Sequence, residues 1–283
     1  GERRYYIPQD SYYSFKFNFL GKTSEFWFLP NFSMAVDALL EDDYQNYLHS
    51  YSVGNGNQLS IKLKIVDKHY FDNIRGVALC ELSSHFSEYL IFPSFFDDLA
   101  KADSLWDSSV NNEALRSYFV NQSQKFASLK PGMVVPNITL PNQFDEFFSL
   151  TSLRGKAVFL VFWGSWCPPC LASIPKYREL QQKFPNDDIE FLFVSLESYP
   201  QDVERWKGLV KGTSDIAKKN KVGEPFKGIH LVANGQFKNS QIQPYAVTYA
   251  PSYLIIDKEG RIAYPRVLMD ENIYDKIASV IAK

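Results

Sequence analysis

The sequence is short of cysteine, short of histidine and nearly without net charge. Its 283 residues carry 3 Cys and 4 His, and 30 Lys and Arg stand against 32 Asp and Glu for a formal charge of −2. Three cysteines are too few for a disulfide scaffold. A zinc site needs about four ligands, and none of His49, His69, His85 or His230 stands at ligand spacing from a cysteine pair. No metal and no cofactor is therefore implied. Balanced charge, with no basic cluster interleaved with aromatics, argues against a nucleic-acid partner. No apolar run reaches the ~18 residues that a membrane-spanning helix needs, and no internal repeat or low-complexity stretch stands out. The chain opens at Gly1-Glu2-Arg3-Arg4 with neither an initiating Met nor a signal segment. A processed chain is expected, so this end leaves the compartment open.

What the chain does have is apolar bulk: 45% hydrophobic and 16% aromatic residues, enough for one large or two ordinary domains. Residues 11–29 alternate Tyr and Phe around Gly21-Lys22-Thr23-Ser24 and predict a hairpin. Helical spacing follows from Ser33 to about Tyr51, and Gly54-Asn55-Gly56-Asn57 stops it. A second helix is predicted over 70–90, with Phe71, Ile74, Ala78, Leu82 and Phe86 on one stripe, and a third over 111–129. Cys80 falls inside the second stripe and reads as an inert core thiol. Residues 1–129 thus form a mainly α-helical N-terminal domain entered through a small β segment.

Lys130-Pro131-Gly132 marks the boundary to a second domain, residues 130–283. Ile138-Thr139-Leu140 and residues 146–150 predict a hairpin. Ala157 to Trp163 is an unbroken apolar run of the kind that makes a strand buried on both faces. Further strands are predicted from Ile189 to Leu196, over 229–232, over 252–257 and over 261–264. Helices are predicted from Cys167 to Phe184, after Pro200, from Gln236 to Tyr245 and over 272–282. Alternating strands and helices closed by a hairpin and a last helix give an α/β sheet flanked by helices.

The chemistry lies in Trp166-Cys167-Pro168-Pro169-Cys170, where the buried strand becomes a helix. Two thiols three positions apart can close into a disulfide, and free N–H groups at a helix start stabilise a thiolate. Closing so short a loop would contribute little stability, so a redox role is the better reading. Proline in the first helical turn loses no hydrogen bond, which lets Pro168 and Pro169 fix the turn.

Taken with Pro136-Asn137-Ile138-Thr139-Leu140, Ser152-Leu153-Arg154-Gly155-Lys156 and Tyr245-Ala246-Val247 ahead of Pro251, the motif resembles the TlpA/ResA group of thiol-disulfide oxidoreductases with a thioredoxin fold. The likeness covers about residues 131–283. The front half more loosely resembles the N-terminal regions of thioredoxin-like proteins from Bacteroidetes. The resemblance implies that Cys167 attacks and Cys170 resolves, that Pro175 kinks the active-site helix, and that Pro251 is a cis-proline facing the cysteines. Ala250 would then offer its backbone to an extended substrate, with Trp166, Pro168 and Pro169 supporting the turn. Two positions depart from the group. Val161 stands where thioredoxins bury an Asp, and Ser173 stands where ResA-type proteins carry a Glu. Glu197, at the carboxyl edge of the sheet, is a candidate proton acceptor for Cys170, although a solvated loop carboxylate is the simpler expectation.

The activity implied is a periplasmic, or outside-facing and membrane-anchored, reductase of protein disulfides, recharged by a membrane electron donor. Its partners would be proteins carrying dithiols or disulfides. A disulfide oxidase or isomerase, a peroxiredoxin-like peroxide reductase, and a binding module on a thioredoxin scaffold are the alternatives. The spaced pair argues against the peroxide reductase, and its intactness against the binding module.

Overall fold

A computed structural model describes residues 30–51, 57–70, 72–106, 110, 112–184, 189–213 and 227–282. The hairpin expected over residues 11–29 lies outside them. The chain divides into two compact units, Gly1–Gln124 and Lys125–Lys283.

The first unit holds α1 (Pro30–Tyr51), α2 (Gln58–His69), α3 (Asp72–Ser84), α4 (Phe86–Tyr89), α5 (Phe95–Ser104) and the start of α6 (Glu113–Ala127). Two of these were not legible. In α2 the apolar residues Leu59, Ile61, Leu63 and Ile65 alternate as in a strand, yet all are buried in a helix. Its start is set by Asn57, whose side chain accepts the Leu59 N–H at 3.1 Å, an N-cap that satisfies one orphan donor. The last residue of the Gly-Asn stretch therefore caps this helix. The helix expected over 70–90 breaks at His85 into α3 and α4. In α5, Asp97 and Asp98 sit in the first turn, where the helix dipole favours acid. Aromatic rings contribute to the core of this unit. Phe86 meets Phe95 edge-on at 5.7 Å, and Trp106 stacks on Phe119 at 5.2 Å.

The second unit is built on a five-stranded sheet. After the small antiparallel hairpin of β1 (Thr139–Pro141) and β2 (Phe147–Ser149) come β3 (Ala157–Trp163), α7 (Pro168–Ala172), α8 (Ile174–Lys183), β4 (Ile189–Glu197), α9 (Pro200–Val210), β5 (Ile229–Asn234), β6 (Ser252–Ile256), β7 (Ile262–Val267) and α10 (Ile273–Ile281). The strand order is β5-β4-β3-β6-β7. β5, β4 and β3 run parallel, while β6 and β7 are antiparallel. Every residue of β3 is buried, as its unbroken apolar run requires of a central strand.

Two expectations for this unit need correction. The helix expected from Cys167 to Phe184 is two helices meeting at Ser173. Pro175, just inside α8, has no N–H to continue the ladder. The helix expected from Gln236 to Tyr245 is two single 3₁₀ turns, Gln236–Lys238 and Gln243–Tyr245. Asn239 accepts the Gln241 N–H with its own side chain at 2.9 Å, and Pro244 removes a donor, so the backbone has local alternatives to a helix.

Candidate active site

β3 and β4 run parallel and end side by side at Trp163 and Glu197. Their carboxyl edge is where open α/β sheets place functional loops. Beyond β3 the chain turns through Gly164, Ser165 and Trp166, closed by the Cys167 N–H to the Gly164 carbonyl at 3.1 Å. Cys167 is the N-cap of α7, and its Sγ accepts the Cys170 N–H at 3.3 Å. The two cysteines are joined in a disulfide with their Cα atoms 5.3 Å apart. Cys167 is 2% exposed and Cys170 0%. Both residues are thus nearly enclosed. Since α7 is only five residues long, the local Cys170 N–H, rather than a long helix dipole, is the donor a Cys167 thiolate meets first.

The Ala250–Pro251 bond is cis, and Cys167 Sγ lies 3.5 Å from the Ala250 carbonyl oxygen. The structure thus brings together Cys167, Cys170 and the Ala250–Pro251 step across 83 residues of sequence. Trp166 is 39% exposed and donates its indole N–H to the Leu196 carbonyl at 2.6 Å. Pro168 and Pro169 open α7 in the first turn.

Glu197 is not a solvated loop carboxylate. It is the last residue of β4 and 0% exposed. Its carboxylate accepts the Ser165 N–H at 2.8 Å, the Ser165 hydroxyl at 3.1 Å and the Ser195 hydroxyl at 2.7 Å. Among the described residues, neither cysteine sulfur is one of its partners. Burial raises its pKa above the ordinary carboxylate value, and the serine hydrogen bonds and Arg205 pull the other way.

Several neighbours of the site were not foreseen. Val161 pairs across the sheet with Tyr253, whose phenol lies 3.2 Å from that of Tyr177 in α8. Burial raises the pKa of both phenols. Hydroxyls therefore occupy the region where the resemblance leads one to look for a carboxylate. Arg266 in β7 is 3% exposed. Its Nη2 donates to the Ala246 carbonyl at 3.2 Å, and its guanidinium lies 5.8 Å from the centre of the Tyr249 ring. Burial lowers its pKa to about 10. It braces the segment that leads into the cis bond. No local pattern in the sequence marks Ser165, Arg205 or Arg266, because each acts through a partner at least 20 residues away.

Residues 130–278, more than half of the chain, match the redoxin family. The chain belongs to that family. Among curated relatives, the thiol-disulfide oxidoreductase ResA of Bacillus thuringiensis (strain Al Hakam) is 30% identical over 132 residues, 46% of this chain and 66% of the relative. ResA of Bacillus subtilis (strain 168) is 26% identical over 135 residues, 48% and 66% of the two chains. The chain thus spans just under two thirds of these relatives. Among solved structures, the thioredoxin domain of a Bacteroides vulgatus thiol-disulfide oxidoreductase is 18% identical, with a TM-score of 0.44, covering 53% of this chain and 97% of that domain. A thiol-disulfide oxidoreductase from Bacteroides fragilis is 21% identical, with a TM-score of 0.43, covering 52% and 98%. The second unit of this redoxin-family chain is thioredoxin-like, with its mixed sheet flanked by helices.

Proposed function

We propose that this chain is a thiol-disulfide oxidoreductase that reduces protein disulfides outside the cytoplasm. One observation carries the reading. The Cys167 sulfur sits at a helix N-cap, bonded to Cys170 and 3.5 Å from the carbonyl of Ala250 ahead of the cis-proline. In the reduced chain the Cys167 thiolate attacks one sulfur of a substrate disulfide. A mixed disulfide forms and the other substrate sulfur leaves as a thiolate. Cys170 then loses its proton and attacks Cys167 Sγ, which frees the second substrate thiolate and closes the Cys167–Cys170 disulfide. Two electrons pass to the substrate, whose thiolates take up protons. The backbone of Ala250 holds an extended substrate strand beside the sulfurs, and Trp166, Pro168 and Pro169 keep the turn in place. An outside dithiol donor, such as a membrane electron donor, returns the pair to its reduced form. The names of the ResA relatives support this chemistry.

Equilibration with glutathione measures the direction. A reductase gives a potential near that of thioredoxin, about −270 mV, whereas a value near the −120 mV of strong oxidants assigns the chain to disulfide formation instead.

A further inference from the structure

A carboxylate leaves water at a penalty of several kcal/mol and persists in an interior only where donors surround it. Glu197 meets that condition in an uneven way. Of its three hydrogen bonds, two come from a single residue, Ser165, which lies 32 positions earlier in the turn that delivers Cys167. The third comes from Ser195 on its own strand. Arg205 of α9 adds to the same assembly. Its Nε donates to the Ser165 hydroxyl at 3.0 Å, while its Nη2 lies 3.9 Å from the Glu197 carboxylate and 3.1 Å from Asp202. The Ser165 hydroxyl therefore accepts from Arg205 and donates to Glu197. The next residue, Trp166, is tied to the same strand end through the Leu196 carbonyl. The Gly164–Cys167 turn is thus held from the end of β4, outside α7 altogether.

We infer that Glu197 is a positioning residue for the Cys167 nucleophile: it locks the Gly164–Cys167 turn, so that Sγ stays at the helix N-cap beside the Ala250 carbonyl. This deepens the thiol-disulfide exchange reading and rests on it for its catalytic meaning. It gives Glu197 a role distinct from accepting the Cys170 proton. The contacts say which property matters. A Gln at this position can accept the Ser165 N–H and the Ser195 hydroxyl with Oε1 and donate to the Ser165 hydroxyl with Nε2. An amide therefore preserves the lock, an Ala removes it, and a proton acceptor tolerates neither.

The test uses the full reduced chain and the variants Glu197→Gln and Glu197→Ala. Two quantities are measured between about pH 5 and 9: the rate of Cys167 alkylation by iodoacetamide, located by mass spectrometry, and the turnover of insulin disulfides with dithiothreitol. Circular dichroism checks folding. Misplacing a reacting group by about 1 Å costs up to about a hundredfold in rate. Glu197→Ala is expected to lose about tenfold or more in both measurements, and Glu197→Gln to stay within about threefold of the parent. A folded Glu197→Ala with unchanged alkylation overturns the inference. So does Glu197→Gln as slow as Glu197→Ala, which assigns the charge or the proton to the role. Should Glu197→Ala fail to fold, Ser165→Ala removes only the hydroxyl link. A slowing of about threefold then supports the lock, and no change overturns it. Alkylation needs no substrate. A parent chain that reduces no protein disulfide, while its alkylation still answers to Glu197→Ala, would sink the functional reading and leave the lock standing.

Discussion

Cys80 in the helical unit and Cys167 in the sheet unit are both buried, at 6% and 2% exposure, yet their surroundings differ in kind. Cys80 lies within α3, with its sulfur 3.3 Å from the Leu115 carbonyl, and burial pushes its pKa up to about 12. Near pH 7 only about one in 10⁵ of such thiols is ionised. Cys167 caps a helix, faces the Cys170 N–H and has its disulfide partner one turn on. Enclosure alone therefore does not decide what a thiol does here. The difference is made by a strand-to-helix joint, where backbone donors are left over from the helix start, and by a turn braced from the neighbouring strand.

The harshest way to break this comparison is to exchange the fates of the cysteines. Cys167→Ser should abolish insulin reduction, a loss of at least about 10³-fold, because Cys80 is a core thiol and Cys170 is fully buried behind Cys167. Cys170→Ser should trap mixed disulfides with substrate, visible as adducts by mass spectrometry under non-reducing conditions. Cys80→Ser should keep the rate within about twofold, since a core thiol contributes packing alone. A large loss of activity in folded Cys80→Ser, or surviving activity in Cys167→Ser, would end the division of roles.

A second variant sharpens what the joint contributes. A Cβ on Gly164 would lie 2.5 Å from Trp166 Nε1 and 2.6 Å from Cε2, so Gly164→Ala must push the indole away from the Leu196 carbonyl. Overpacking of this kind costs about 1–3 kcal/mol, and the displaced turn should slow Cys167 alkylation by about tenfold. Thermal melting and alkylation rates check the two halves of this expectation. An unchanged alkylation rate would mean that the turn tolerates the loss of the Trp166 contact.

How much of this was legible follows from where the information sits. β3 and the Cys167–Cys170 pair are local signals, an apolar run and a spacing, and each stands where it was expected. The cis step at Pro251 was legible only through the resemblance, since an X–Pro bond carries no local mark of its isomer. Glu197 reads as solvated from the sequence because its burial depends on Ser165, brought to it by the pairing of β3 with β4, and on Arg205 of α9. α2 is hard to read from sequence because Leu and Ile in alternation imitate a strand, and tertiary packing outweighs that local pattern. Over 236–245 the residue pattern predicts a helix, but Asn239 and Pro244 act as breakers and leave two 3₁₀ turns.

The smallest expected effect concerns the helical unit as a whole. Cys167, Cys170, Ala250 and the groups that hold them, namely Ser165, Trp166, Glu197, Arg205 and Arg266, all fall between residues 164 and 266. The sheet unit also contains its own core, with Phe159, Tyr177, Phe193, Trp206 and Ile255 each at 0% exposure. We therefore propose that residues 1–129 contribute no group to the exchange reaction. A fragment covering 131–283 should fold, by circular dichroism, and reduce insulin disulfides within about twofold of the full chain, since no group that meets the sulfurs is removed. Loss of activity in the folded fragment would show that the helical unit builds part of the site, and the comparison drawn between the two regions would fail. An unchanged rate on insulin, with a reduced rate on a native partner, would instead assign residues 1–129 to choosing the substrate.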